Sequence, residues 1–161
     1  MMLEYQIELR LAGHILLAAF LGSLIGLERE RHVGLAGIRT HAAVAVGACL
    51  FGFISMNIAP PSFMNTVSGT ADPSRVAAQI VSGIGFLGAG VILRDKGRIR
   101  GLTTAATVWA TASVGLAVAN RLYILAFSTT LIILALLALY KIPGFMKWKK
   151  KTRRKIYDDD L

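Results

Sequence analysis

The stretch LAGHILLAAFLGSLIGLERERHVGLAGIRTHAAVAVGACLFGFISMNI, residues 11–58, decides the fold. Residues 11–27 carry no charge, Glu28-Arg29-Glu30-Arg31 follows directly, and a second uncharged run opens at Thr40. An apolar run of about 17 to 25 residues is what a helix needs to cross a hydrocarbon core ~30 Å thick. The charged block between the two runs therefore marks a water interface, not a domain linker. Outward from this stretch, residues 76–93, 101–120 and 122–140 are further uncharged runs. The run 40–71 is too long for one span, and Ala59-Pro60-Pro61-Ser62 breaks it. The expected fold is all-α, a polytopic membrane protein of five transmembrane helices over residues 11–27, 40–58, 74–93, 102–119 and 122–141. Residues 1–143 form one membrane domain and 144–161 a basic tail.

Composition agrees. Of 161 residues, 55% are hydrophobic and 17% charged, and the mean hydropathy is +0.59. A soluble domain carries roughly 25% charged residues, and a disordered chain lacks this much apolar surface. The formal net charge is nonetheless +9, so the basic residues must be concentrated between the spans. Placing the N-terminus outside puts 15 of the 18 Lys and Arg on the cytoplasmic side and leaves Arg10, Arg75 and Arg121 outside. The positive-inside bias thus predicts a cytoplasmic C-terminus. Glu4 and Glu8 precede the first apolar run beside a single Arg10, which is unlike the positive leading region of a signal peptide. That run is expected to stay as a helix. Cys49 is the single cysteine and permits no internal disulfide.

Several residues invite a functional reading. Glu28 and Glu30 fall at a helix C-terminus, where the macrodipole disfavours negative charge, so cationic partners are expected, with Arg39 one candidate and the arginines of the next cytoplasmic loop others. One reading is a charged collar at the interface; the other is an ion-pair cluster that gates the protein or docks a partner. His14, His32 and His41 lack zinc-site spacing, and His14 falls on the opposite side from the others, so a structural role is expected and no metal. Asp72-Pro73-Ser74-Arg75 has the form of a helix N-cap; Asp72, with Arg75 beside it, could also attract a cation at the external face. Gln79, Gly83, Gly85, Gly88 and Gly90 in the third helix, and Thr103, Thr107 and Thr111 in the fourth, are expected to pack these two helices into a tight hairpin. Gly22 and Gly26 form a second GxxxG candidate. The tail, with Lys149, Lys150, Lys151, Arg153, Arg154 and Lys155 around Trp148, should attract anionic lipid headgroups at about 1 kcal/mol per basic residue. It has no stacking platform that would suit nucleic acid. The middle of each expected span lacks Asp, Glu, Lys and Arg, which weighs against secondary transport, although backbone carbonyls could line a pore, and no nucleophile and base pair suggests an enzyme. No cofactor is expected.

Two blocks, GSLIGLERERHVGLAGIRTHAAVAVGA at 22–48 and DPSRVAAQIVSGIGFLGAGVILRDKGRIRGLTTAATVWATASVGLA at 72–117, resemble the membrane domain of the MgtC/SapB family. The resemblance reaches from about residue 11 to residue 120. Its pattern falls on Glu28, Gly37, Arg39, Thr40, Asp72, Arg75, Gln79, Gly83, Gly85, Gly88, Gly90, Gly101, Leu102, Thr103, Thr104 and Trp109. What it implies is a bacterial inner-membrane protein linked to magnesium homeostasis, virulence and acid or intracellular stress. Some members are associated with restraint of the F-type ATP synthase, and several carry a C-terminal cytosolic domain where this chain has a basic tail. The expected function is regulation through contacts with a membrane partner, with self-association as a further expectation. The alternatives are a channel or carrier for Mg²⁺ or another cation, and a structural protein that binds anionic lipid.

Overall fold

The computed structural model describes residues 2–31, 34–57, 74–95 and 98–139. Asp72, His32 and the basic tail lie outside them. The chain is mostly helical, with α1 over Met2–Arg31, α2 over Ile38–Asn57, α3 over Ser74–Gly90, α4 over Leu102–Ala119 and α5 over Tyr123–Ala138. Among the described residues five helices stand where five were expected, but their ends differ. Helix α1 runs through Glu28-Arg29-Glu30-Arg31, because glutamate and arginine are good helix formers and a charge block marks a change of solvent, not of backbone. Helices α3 and α5 are shorter than expected, 17 and 16 residues. Three helices, over Glu8–Arg31, Ile38–Met56 and Leu102–Ala119, are long and apolar enough to cross a membrane.

The all-α expectation needs one correction. Between α3 and α4 the chain forms an antiparallel two-stranded ribbon, β1 over Leu93–Asp95 and β2 over Arg98–Arg100, with Leu93 opposite Arg100 and Arg94 opposite Ile99. The ribbon returns the chain to the bundle at Gly101, whose φ of 89° is left-handed. A Cβ there would collide with the Val91 carbonyl and stand 3.2 Å from Leu35 Cδ1. Gly101→Ala is therefore expected to destabilise the fold by ~2 kcal/mol, the left-handed penalty plus the clash; an unchanged denaturation midpoint would count against this. Helix α4 ends without glycine. Arg121 takes a left-handed φ of 59°, and Arg121 N–H and Leu122 N–H donate to the Val118 and Ala117 carbonyls, the paired bonds of a Schellman motif.

Helices α2 and α4 are the centre of the bundle. One buried cluster joins Leu21 and Ile25 of α1, Ala45 and Cys49 of α2, Val114 and Val118 of α4, and Ala126 of α5. A second, on the other side of α2 and α4, joins Val44, Ala48, Val108 and Ala112 to Ile84 of α3 and Ala36 of the α1–α2 loop. The sequence period explains both: Ala45, Cys49 and Phe53 repeat every four residues along one stripe of α2, with Val44 and Ala48 on the neighbouring stripe. The outer surface is apolar, with Phe86 81% and Ile124 86% exposed, which suits a hydrocarbon solvent.

The closest helix approaches fall at the second GxxxG candidate, Gly22 and Gly26, and at Gly115, and not on the glycine face expected of α3. A Cβ on Gly22 would stand 2.6 Å from the His41 carbonyl oxygen, and one on Gly26 would stand 2.6 Å from Ile38 Cα. A Cβ on Gly115 would collide with the Ala45 carbonyl. Helix α2 is thus pressed between α1 and α4 with little but backbone at the crossings. Against α4, the expected glycine face of α3 reduces to Gly88, 3.8 Å from Ala105 Cβ, whereas Gly83, Gly85 and Gly90 have open space where a Cβ would be. Gln79 is also on the outside of the helix. The physical reason is rotation. On a 3.6-residue period Ile84 and Gly88 share the stripe buried against α4, and Gly83, Gly85 and Gly90 fall outside that stripe.

Candidate functional site

The ends of α1 and α3, the starts of α2 and α4, and the ribbon lie together at what is here named the hairpin end. Polar side chains gather there inside the bundle. The buried stripe of α1, Ala18-Leu21-Gly22-Ile25-Gly26, brings Arg29 inward one turn later. Arg29 Nη2 donates to Thr104 Oγ1 at 2.9 Å, and Arg29 is also attracted electrostatically by the neighbouring Glu28. Thr104 is buried, and its carbonyl accepts a hydrogen bond from Thr107 Oγ1 at 2.9 Å. Four residues before Ala45 on α2, His41 is completely buried. Its Nδ1 lies 2.9 Å from the Gly37 carbonyl and its Nε2 3.1 Å from Thr107 Oγ1.

The protons in this chain of bonds follow from the partners. A carbonyl can only accept, so the Gly37 contact assigns a hydrogen to His41 Nδ1. Thr107 has one hydroxyl proton and two takers. In the neutral imidazole, Thr107 donates to Nε2; in the imidazolium, Nε2 donates to Oγ1 and the hydroxyl turns to the Thr104 carbonyl. Either state is satisfied, so the bridge ties α1, α2 and α4 together whichever way the proton sits.

The connection between α1 and α2 is equally tied. Gly34 N–H donates to the Arg29 carbonyl at 2.9 Å, and Glu30 Oε2 accepts from Ile38 N–H at 3.1 Å. Glu30 therefore caps the N-terminus of α2, where dipole and free N–H groups both favour a carboxylate. The expected pairing of Arg39 with Glu28 or Glu30 is not formed: Arg39 is exposed and, among the described residues, makes no ion pair. Glu30 meets the Ile38 backbone amide instead.

The threonine stripe also shifts by one residue. Thr103 is exposed, while Thr104, Thr107 and Thr111 are buried. Thr107 reaches across to α2 and not to α3; Thr111 donates within its own helix to the Thr107 carbonyl at 2.7 Å. Arg29, His41 and Thr104 were not singled out as a group from the sequence. The signal was present, since each continues the apolar stripe of its helix by one turn. At the far end, His14 Nδ1 donates to the Arg10 carbonyl and Nε2 accepts from Tyr123 Oη, both at 2.6 Å, with the Phe53 ring edge-on at 5.2 Å. His14 and His41 sit at opposite ends, as expected. Arg75 is exposed in the first turn of α3.

Comparison with known proteins places this architecture. The sequence model of the MgtC family matches residues 15–143. The chain belongs to the MgtC family. Protein MgtC of Salmonella typhimurium (strain LT2) is 47% identical over 121 residues, 75% of this chain and 48% of that protein. Protein MgtC of Brucella abortus (strain 2308) is 48% identical over 124 residues, 77% of this chain and 48% of its own length. The chain thus spans about half the length of these MgtC relatives. No solved structure matches it. The MgtC match takes in α2, α3, the ribbon, α4 and α5 with most of α1, so it includes the whole hairpin-end bridge.

Proposed function

We propose that this MgtC family member is a regulator of the bacterial inner membrane, linked to magnesium homeostasis and to acid or intracellular stress. Its five helices cross the bilayer with the N-terminus outside and the hairpin end and C-terminus in the cytoplasm. Residues 1–143 are the membrane domain, and 144–161 lie on the anionic cytoplasmic leaflet. It is not an enzyme, and it acts through helix contacts with a membrane protein such as the F-type ATP synthase.

The observation that carries this reading is the disposition of polar groups. The centre of the bundle, between Leu21, Ala45, Cys49, Val114 and Val118, is closely packed and apolar, while Arg29, His41, Thr104 and Thr107 are bonded to one another at one end. Ion pathways need oxygen ligands or ionisable groups along their length. A closely packed apolar centre with its polar groups gathered at one end suits a body that presents surfaces to a partner. In proteoliposomes with oriented protein and an internal Mg²⁺ indicator, flux should equal that of empty vesicles. Saturable Mg²⁺ entry would overturn the regulatory reading in favour of transport, and its loss in Asp72→Asn would then give Asp72 a place at the external mouth. Co-purification of ATP synthase membrane subunits with the full chain, compared with an unrelated membrane protein, tests the partner.

A further inference from the structure

Helices α2 and α3 share the cluster that holds Val44, Ala48 and Ile84, but outside that contact they diverge. Between them runs an open groove with a volume of ≈ 550 Å³, within the roughly 300–1,000 Å³ of small-molecule sites. Ala43, Gly47 and Phe51 line one wall and Ile80, Gly83 and Leu87 the other, so the surface is mostly apolar, with Gln79 a polar residue on the α3 wall. Its hairpin end is different. Thr40 lines the groove there, next to the exposed Arg39, and α3 leads past Leu87 into the ribbon that carries the exposed Arg94, Arg98 and Arg100. The contact of Gly101 with Val91 and Leu35 roots that ribbon beside the loop that precedes α2. Among the described residues, none of the four arginines makes an ion pair.

We propose that this groove is a site for one anionic glycerophospholipid, with an acyl chain between α2 and α3 and the phosphate held by Arg39 with Arg98 and Arg100, which the ribbon register puts on one face, Arg94 falling on the other. The inference rests on the membrane placement given above. Charge selects the occupant: an apolar slot whose hairpin end lies toward these three cations matches an amphiphile with a negative head. A second copy of the chain fits less well, since two copies inserted the same way up would bring like-charged ends together.

The test uses the full chain purified in detergent, native mass spectrometry, and dioleoylphosphatidylglycerol, with dioleoylphosphatidylcholine as control. One phosphatidylglycerol should be retained and phosphatidylcholine lost. Gly47→Phe fills the groove without a clash, because a Cβ at Gly47 meets nothing within 4 Å, and it should lower retention by roughly tenfold or more; Arg39→Gln with Arg98→Gln should do the same by removing two headgroup contacts. Replacing Lys149, Lys150 and Lys151 by Gln should leave the bound lipid in place. Equal retention by Gly47→Phe, equal retention of phosphatidylcholine, or loss only in the tail variant would each overturn the site. A dimer without lipid that Gly47→Phe dissociates would assign the groove to a second copy instead. Alkaline extraction of membranes separates the two failures: release of the chain would sink the membrane placement, whereas a resistant chain without the lipid would sink the site alone.

Discussion

Gly22→Leu is expected to prevent α1 from packing on α2, whereas Gly83→Leu is expected to leave the bundle intact. Both glycines lie in apolar helices, and sequence alone ranks them as equivalent small residues. They differ in what a side chain would meet. At Gly22 the nearest atoms are the His41 carbonyl oxygen at 2.6 Å and Ala45 Cβ at 2.8 Å. Neither is the end of a flexible chain, so α1 itself must move away. Overpacking usually costs about 1–3 kcal/mol, and a backbone collision at the main helix crossing belongs at or above the upper figure. The displaced helix would also pull Arg29 from Thr104. At Gly83 the added leucine enters the open α2–α3 groove. In a titration with denaturing detergent, Gly22→Leu should unfold well below wild type or fail to give a monodisperse species, and Gly83→Leu should unfold near it. Equal midpoints for the two variants would remove the argument.

His41→Ala should produce the second large effect. The ring is fully buried and bonded at both nitrogens, so truncation leaves a cavity and removes the side-chain bond from α2 to Thr107 of α4, while the Gly37 carbonyl keeps the backbone N–H of residue 41 and the Thr107 hydroxyl keeps the Thr104 carbonyl. Large-to-small changes in a core cost about 2–5 kcal/mol, and a loss of ~3 kcal/mol is expected here. A double-mutant cycle with Thr107→Val isolates the bond itself. Hydrogen bonds between membrane helices are worth ~1 kcal/mol, and the coupling energy should be of that order. Arg39→Gln, which removes an exposed charge without a partner, should change stability by less than ~0.5 kcal/mol. A coupling of zero would mean that His41 acts by filling space alone, and a large effect of Arg39→Gln would restore the ion pair first expected for it.

These contrasts show how far the residues could be read in order. The charge block at Glu28 to Arg31 was legible as an interface, and the helix runs on through it because solvent and backbone obey different rules. Arg39 was the natural partner for the glutamates on charge alone. Glu30 instead accepts from Ile38 N–H at the helix start, and a backbone amide without an intrahelical acceptor is as good a partner as an arginine. The glycines of α3 were legible as small, but rotation turns Gly83, Gly85 and Gly90 away from α4. The ribbon at Leu93 to Arg100 went unread because three-residue strands have no measurable period.

What the sequence determined by itself is the helix count, the apolar runs and where the basic residues fall between them. These depend on local hydropathy and on backbone propensity, which each segment carries alone. The tertiary structure decided which glycines touch backbone, which threonine bonds to which helix, that His41 and Arg29 belong to one polar bridge, and that α2 and α3 stand apart to leave a groove. Those outcomes depend on the rotation and crossing of helices about their axes. Side chains from three helices fix them together, and no single segment contains that information.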